Sequence, residues 1–282
     1  MRIALVITLL AATVCNQAGA ADTLGTIKSS GAIRLGYYAT SAPFSSTGAD
    51  KSPQGYSVEL CQRVAAGIQR QLQLPQLKTQ WIELGTGERV TAVRDGRVDI
   101  ECGTTTWSLS RQKEVDFSLM TFIDGASLLA AADAGVKRIG DAGGKKIAVI
   151  RGTTTEKALA AALAKNKVQA SVIMVDTREQ GFALLTDGRV DAFASDRFLL
   201  MNTLASLRTP KPLRLLDEDF SVEPYALALP RDDAAFRLAV NRSLADLFRS
   251  GEIAQVYERW LGQYGSPSLL LSALYYLQQI PE

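Results

Sequence analysis

The sequence predicts an α/β protein built from two similar lobes, on three observations. Short apolar strand-like runs alternate with helical patterns through most of the chain, the signature of largely parallel sheets. Asp-Gly-Arg-Val-Asp is spelled twice, at residues 95–99 and again at 187–191. Each copy closes a helix on a glycine, which readily takes the left-handed conformation, and then enters a strand through Arg-Val-Asp.

The first series opens with "AIRLGYY" (32–38) as a strand. "YSVELCQRVAAGIQRQLQL" (56–74) is a helix, because Leu60, Val64, Ile68 and Leu72 recur every four residues. "KTQWIEL" is a second strand, residues 87–95 a short helix closed by Gly96, and 98–101 a further strand. The second series begins with "KKIAVI" (145–150), a strand running into "RGTTTEKALAAALAK", where Thr153 and Glu156 stand at capping-box spacing. "SVIMV" (171–175) follows, Thr177 and Gln180 repeat that spacing before a helix ending at Gly188, and "RVDAFAS" is another strand. After Leu215 the pattern changes. "EPYALALP" is a strand, 233–248 a helix with Phe236, Val240, Leu244 and Leu247 on one face, and 252–261 a last amphipathic helix. Taken alone, these elements either complete the first lobe or form a third unit.

Residues 1–20 have the form of a secretory leader: Arg2, an apolar run over 3–14, and Ala18-Gly19-Ala20 as a small-residue cleavage site. The run is too short to span a bilayer, which takes about 20 residues, so a mature periplasmic chain beginning at Ala21 is expected. Removing Arg2 from 31 basic and 29 acidic residues leaves a net charge of +1. That balance points to neither nucleic acid nor an anionic membrane as partner. Histidine is absent, which excludes His-dependent hydrolysis and most zinc chemistry, and no metal or cofactor is expected. Cys61 and Cys102 survive cleavage; in an oxidising compartment they either pair or stay as two buried thiols.

Candidate ligand chemistry sits just past the two repeated strands. In open parallel sheets, ligands bind outside the carboxyl ends of the strands, so Thr104 to Thr106 and Ser195 to Asp196 should face one ligand from opposite lobes. "TTTWSLSRQ" adds Arg111, whose planar fork can clamp a carboxylate with two parallel hydrogen bonds. "RGTTTEK" puts Thr153 and Thr154 at a helix N-terminus, where free N–H groups favour an anionic oxygen. Asp196 can hold an ammonium. A positive clamp, hydroxyls and a carboxylate together suit a free amino acid.

The runs "PFS…GYSVELC", "ECGTTTWSLSRQKEVDFS", "RGTTTEKAL", "GRVDAFASDRFLL" and "FRSGEIAQVYERW" resemble, in that order, the periplasmic polar amino-acid-binding proteins of ABC transporters, solute-binding family 3. The resemblance covers residues 23 to about 262, and the "ECGTTT" run resembles the glutamate/aspartate-binding proteins within the family. It implies a two-lobed periplasmic-binding-protein fold of type II, with the ligand between lobes joined by two crossing segments, near 121–126 and 217–223. Lobe 1 would comprise 21–123 and 220–265, lobe 2 would comprise 124–219, and 266–282 would be an apolar helix packed on the body. Carried over by position, Arg111 clamps the α-carboxylate with Thr106 and Thr154. Asp196, with Thr104 beside it, takes the ammonium, and Arg89 with Thr86 helps hold an acidic side chain. Tyr38 and Phe44 belong to the ligand-facing "YYATSAPF" stretch, where the glutamate/aspartate relatives carry an arginine just before "PF". Arg178 stands where those relatives carry a histidine. The implied function is a monomeric, non-enzymatic receptor delivering glutamate or aspartate to a membrane permease. Two alternatives use the same scaffold: an arogenate/prephenate (cyclohexadienyl) dehydratase, with Glu101 as candidate acid, and an amino-acid sensor.

Overall fold

Side chains with apolar neighbours on both faces build the sheets of this chain, and the helices cover those faces with one apolar stripe each. The computed structural model describes residues 22–206 and 211–281; the expected leader lies outside the described residues. Helix α1 (Thr23–Ser30), capped by Asp22, leads into β1 (Ala32–Tyr37). A small meander of β2 (Thr40–Ser41), β3 (Ser45–Thr47) and β4 (Pro53–Gln54) precedes α2 (Tyr56–Gln71). Gly55 between them is required: its φ is 132° and a Cβ there would sit 2.4 Å from the Phe44 carbonyl oxygen. Leu60, Val64 and Ile68 of α2 are buried. The helix stops three residues short of the sequence reading because Gln73 turns left-handed (φ 54°) ahead of Pro75. Then follow β5 (Lys78–Glu83), α3 (Arg89–Arg94), β6 (Ile100–Glu101) and the long β7 (Asp116–Asp124). A disulfide between Cys61 and Cys102 ties α2 to the end of β6.

Only Gly125 separates β7 from β8 (Ala126–Ala131), the first strand of a second sheet. That sheet continues with β9 (Lys146–Ile150), α4 (Thr154–Lys165), β10 (Ser171–Val175), α5 (Arg178–Thr186), β11 (Ala192–Asp196), α6 (Arg197–Ser206) and β12 (Leu213–Leu215). The chain crosses back into β13 (Glu223–Leu229), then α7 (Ala234–Arg249), α8 (Glu252–Leu261) and α9 (Leu269–Leu277). Strand order is β5-β1-β6-β13-β7 in one sheet and β10-β9-β11-β8-β12 in the other. In each sheet one strand runs against its neighbours, β13 in the first and β8 in the second. Both are the strands that follow a crossing, so reversal of direction is how the chain enters each lobe.

The elements after residue 215 return to the first sheet rather than forming a third unit. Helix α9 lies on that body through Leu271, Leu274 and Tyr275. The Tyr275 hydroxyl meets that of Tyr56 at 2.7 Å, and the Gln278 amide brackets the Met120 backbone. Phe44, Tyr56, Phe122, Phe198 and Tyr225 form an aromatic cluster, edge-on except for the stacked Phe122–Tyr225 pair. No helix among the described residues is long and apolar enough to cross a membrane.

Candidate ligand-binding site

Both copies of the repeated stretch perform the same structural task. The last aspartate of each accepts from a backbone N–H in the first half of the neighbouring strand: Asp99 from Arg34 and Asp191 from Lys146, each at 2.7 Å. Their own N–H groups donate back to the carbonyls of those same residues at 2.8 Å. Gly96 and Gly188 turn the chain into these clips at φ 67° and 73°. The repeat thereby fixes where β6 and β11 begin. Their tails, Thr104 and Thr106 from one lobe and Ser195 and Asp196 from the other, line one interlobe cavity.

Capping places the second lobe's contribution. The Thr153 hydroxyl accepts from Glu156 N, which leaves the first N–H groups of α4, at Thr154 and Thr155, without an intrahelical acceptor on the cavity wall. The expected reciprocal bond goes elsewhere, since the Glu156 carboxylate accepts from Gly152 N at 2.6 Å. At α5 the capping box is complete, with Thr177 and Gln180 reciprocally bonded. That cap sets Arg178 at the first helical position, facing the cavity.

Three guanidinium groups, those of Arg89, Arg111 and Arg178, line this cavity. Arg89 donates through Nε to the Thr86 carbonyl (3.0 Å) and through Nη1 to that of Thr104 (3.2 Å). Arg111 Nη1 donates to the Thr106 carbonyl at 2.9 Å. Arg178 Nη1 donates to Ser195 Oγ at 2.9 Å, while its Nε is buried without an acceptor. Burial, joined at Arg111 by the neighbouring Arg89, lowers the pKa of Arg111 and of Arg178 from the usual arginine range. None of the three has a carboxylate within ion-pair distance among the described residues. Among the described residues the single acidic side chain on the wall is Asp196, which accepts from Thr155 Oγ1 (2.9 Å) and Tyr225 Oη (2.5 Å). Such a cavity fits a ligand that carries an ammonium and more than one negative charge.

Residues 33–263 match the bacterial extracellular solute-binding proteins, family 3. This chain belongs to that family. The family 3 chain is 36% identical over 242 residues to the L-glutamate/L-aspartate-binding protein of Pseudomonas aeruginosa, covering 86% of this chain and 80% of that protein. It is 28% identical over 241 residues to the glutamate/aspartate import solute-binding protein of Escherichia coli, with the same coverage of both chains. Among solved structures it resembles the ancestral amino acid-binding protein AncCDT-1, a precursor of cyclohexadienyl dehydratase. There the TM-score is 0.73 at 25% identity, over 85% of this chain and 99% of that one.

In this solute-binding protein Arg111, Thr106, Thr104, Asp196, Thr154, Arg89, Thr86 and Arg178 all reach the cavity wall. Tyr38 and Phe44 do not. Tyr38 is buried behind the wall, its ring 5.2 Å beneath the Arg89 guanidinium, so it braces a cavity residue instead of touching a ligand. Phe44 is wholly buried in the aromatic cluster. Glu101 is also off the wall, buried beside Tyr38 and Thr105, and burial raises its pKa. Gly103 makes room for this pair, because a Cβ there would meet the Tyr38 ring at 2.2 Å and Glu101 Oε1 at 2.4 Å.

The sequence reading missed Asp124, Glu223 and Tyr225, which stand on the strands at the two crossings. Tyr225 Oη lies 2.5 Å from Asp196 Oδ2 and 3.2 Å from Asp124 Oδ2. A phenol has one proton to give, so a proton on Asp124 lets that carboxyl donate back to the phenolic oxygen. Burial, and then the Asp196 charge, hold Asp124 well above the usual carboxylate range. A pKa raised on folding contributes stability that is complete below the unfolded value and is lost as pH climbs through the folded one. Asp124→Asn keeps the neutral form, so the variant should match wild type in denaturant midpoint near about pH 4 and exceed it by about pH 8. Parallel curves across that range would show that Asp124 is ionised throughout.

Proposed function

We infer that this protein binds an acidic amino acid, glutamate or aspartate, between its lobes in the periplasm and delivers it to the permease of an ABC transporter. The observation that carries the reading is the trio of guanidinium groups without carboxylate partners facing Asp196 alone. An acidic amino acid brings two carboxylates and one ammonium, which supplies a partner to each charged group on the wall. Arg111 holds the α-carboxylate together with the N–H groups opening α4, and Asp196 takes the ammonium beside the Thr104 carbonyl. Arg178 and Arg89 approach the side-chain carboxylate from opposite lobes. The names of the Pseudomonas and Escherichia relatives agree with that ligand. Every contact positions the ligand, and closure of the lobes by hinge motion becomes the signal to the permease. The dehydratase alternative lacks its acid at the ligand, because Glu101 lies behind Arg89 and Tyr38 and off the cavity wall.

A thermal-shift screen of mature protein, refolded to strip carried ligand, tests this reading against the twenty amino acids plus prephenate and arogenate. Glutamate or aspartate at one hundred times its dissociation constant should add about 2.7 kcal/mol of stability. A larger rise with a neutral or basic amino acid would overturn the acidic ligand, and a rise with prephenate or arogenate alone would restore the enzyme reading.

A further inference from the structure

Glu223 stands where the second crossing enters β13, and it is 2% exposed. Among the described residues its carboxylate gathers three hydroxyls and no cation within ion-pair distance. Ser221, in the crossing itself, donates to Oε1 at 2.6 Å. Thr106, in the loop after β6, and Thr154, the first residue of α4, both donate to Oε2 at 2.7 Å. The two threonine hydroxyls are 3.1 Å apart. One belongs to each lobe. The Thr106 side is held rigidly to β13, since Trp107 N donates to the Pro224 carbonyl at 2.7 Å and Thr106 pairs with Tyr225. The Thr154 side moves with α4 and the second sheet.

We propose that Glu223 is a positioning residue that clasps the closed cleft, a single carboxylate oxygen shared by one hydroxyl from each lobe. The inference rests on the receptor reading above and deepens it in two ways. First, the Thr154 arm of the clasp can form only when the lobes meet, so closure is favoured from within the protein before ligand adds its own contacts. Charge-assisted hydrogen bonds of this kind are roughly twice as strong as neutral ones. Second, a hydroxyl has one proton and two lone pairs. With both protons committed to Glu223, Thr106 and Thr154 present acceptors to the cavity. Their side chains therefore suit the ligand's ammonium, and the α-carboxylate is left to Arg111 and backbone N–H groups. This revises the helper role that the sequence assigns to the two threonine hydroxyls.

The test is a double-mutant cycle of Thr154→Val and Glu223→Gln, read by titration calorimetry with glutamate and by the radius of gyration of the empty protein in small-angle X-ray scattering. Each single variant should raise the glutamate Kd by about tenfold or more and expand the empty protein. The double variant should expand the empty protein no further than the worse single one, because both break the Thr154–Glu223 contact across the cleft. The ratio of glutamate to glutamine affinity should not move, since the clasp is remote from the side-chain end. If Thr154→Val leaves Kd and radius unchanged, or if the two expansions add, Glu223 only braces the loop at Thr106 and the clasp is wrong. Should wild type prefer another amino acid, the receptor reading fails on its own, and the cycle runs unchanged with that amino acid.

Discussion

Arg111→Ala should abolish useful binding of every amino acid, by about 30- to 5,000-fold in Kd. That range follows from the roughly 2 to 5 kcal/mol lost when one partner of a buried, hydrogen-bonded charge pair is truncated. Arg111 keeps one guanidinium nitrogen on the Thr106 carbonyl, which aims the rest of the fork into the cavity. Because the α-carboxylate is common to all amino acids, the loss should be the same for glutamate, aspartate and glutamine. Arg111→Lys should recover part of it, as a point charge without the two-pronged geometry. The empty variant should unfold close to wild type, since the group removed is a desolvated cation with no carboxylate partner. Calorimetric titration checks the first claim and a denaturant melt the second. An Arg111→Ala protein that binds normally would mean the α-carboxylate lies elsewhere.

Arg178→Gln should change which ligand is preferred. Arg178 has a buried Nε without an acceptor among the described residues, whereas Arg89 already spends two N–H groups on lobe 1 carbonyls. The side-chain carboxylate thus gains most from Arg178. Its loss leaves that carboxylate facing Arg89 alone, and glutamate should weaken by about 30-fold or more. Glutamine, which forfeits only a hydrogen bond to a neutral amide, should weaken by about tenfold or less. The glutamate-to-glutamine ratio, measured by titration of both ligands into both proteins, isolates this effect. An unchanged ratio would assign the side-chain carboxylate to Arg89.

Local chemistry explains what could be read from the sequence. The Thr177–Gln180 box and the left-handed Gly96 and Gly188 are set by residues within one turn, so the starts of α4 and α5 and the stops of α3 and α5 followed from short windows. The Gly-Arg-Val-Asp repeat was visible, yet its purpose, clipping each strand to its neighbour through Asp99 and Asp191, needed the partner strands at Arg34 and Lys146. Strands β7 and β8 were not read, because "DFSLMTFID" and "ASLLAA" are divided only by Gly125 and show neither clean alternation nor a turn cluster. Likewise the Asp196–Tyr225, Asp124–Tyr225 and Thr106–Glu223 contacts span from 29 to 117 residues along the chain. One signal was available: "EPYALALP" sets a glutamate at the head of an apolar strand, where an exposed charge would be out of place. Tyr38 and Phe44 were drawn in by position next to a ligand-facing stretch, and packing against Arg89 and the aromatic cluster turned both inward.

The most direct test is a crystal structure of the refolded, mature protein grown with glutamate. The α-carboxylate should lie on Arg111 and the N–H groups of Thr154 and Thr155, and the ammonium between Asp196, the Thr104 carbonyl and the Thr106 hydroxyl. The side-chain carboxylate should lie on Arg178. Glutamate bound in the reverse sense, with its side-chain carboxylate on Arg111, or bound outside the interlobe cavity, would contradict this placement.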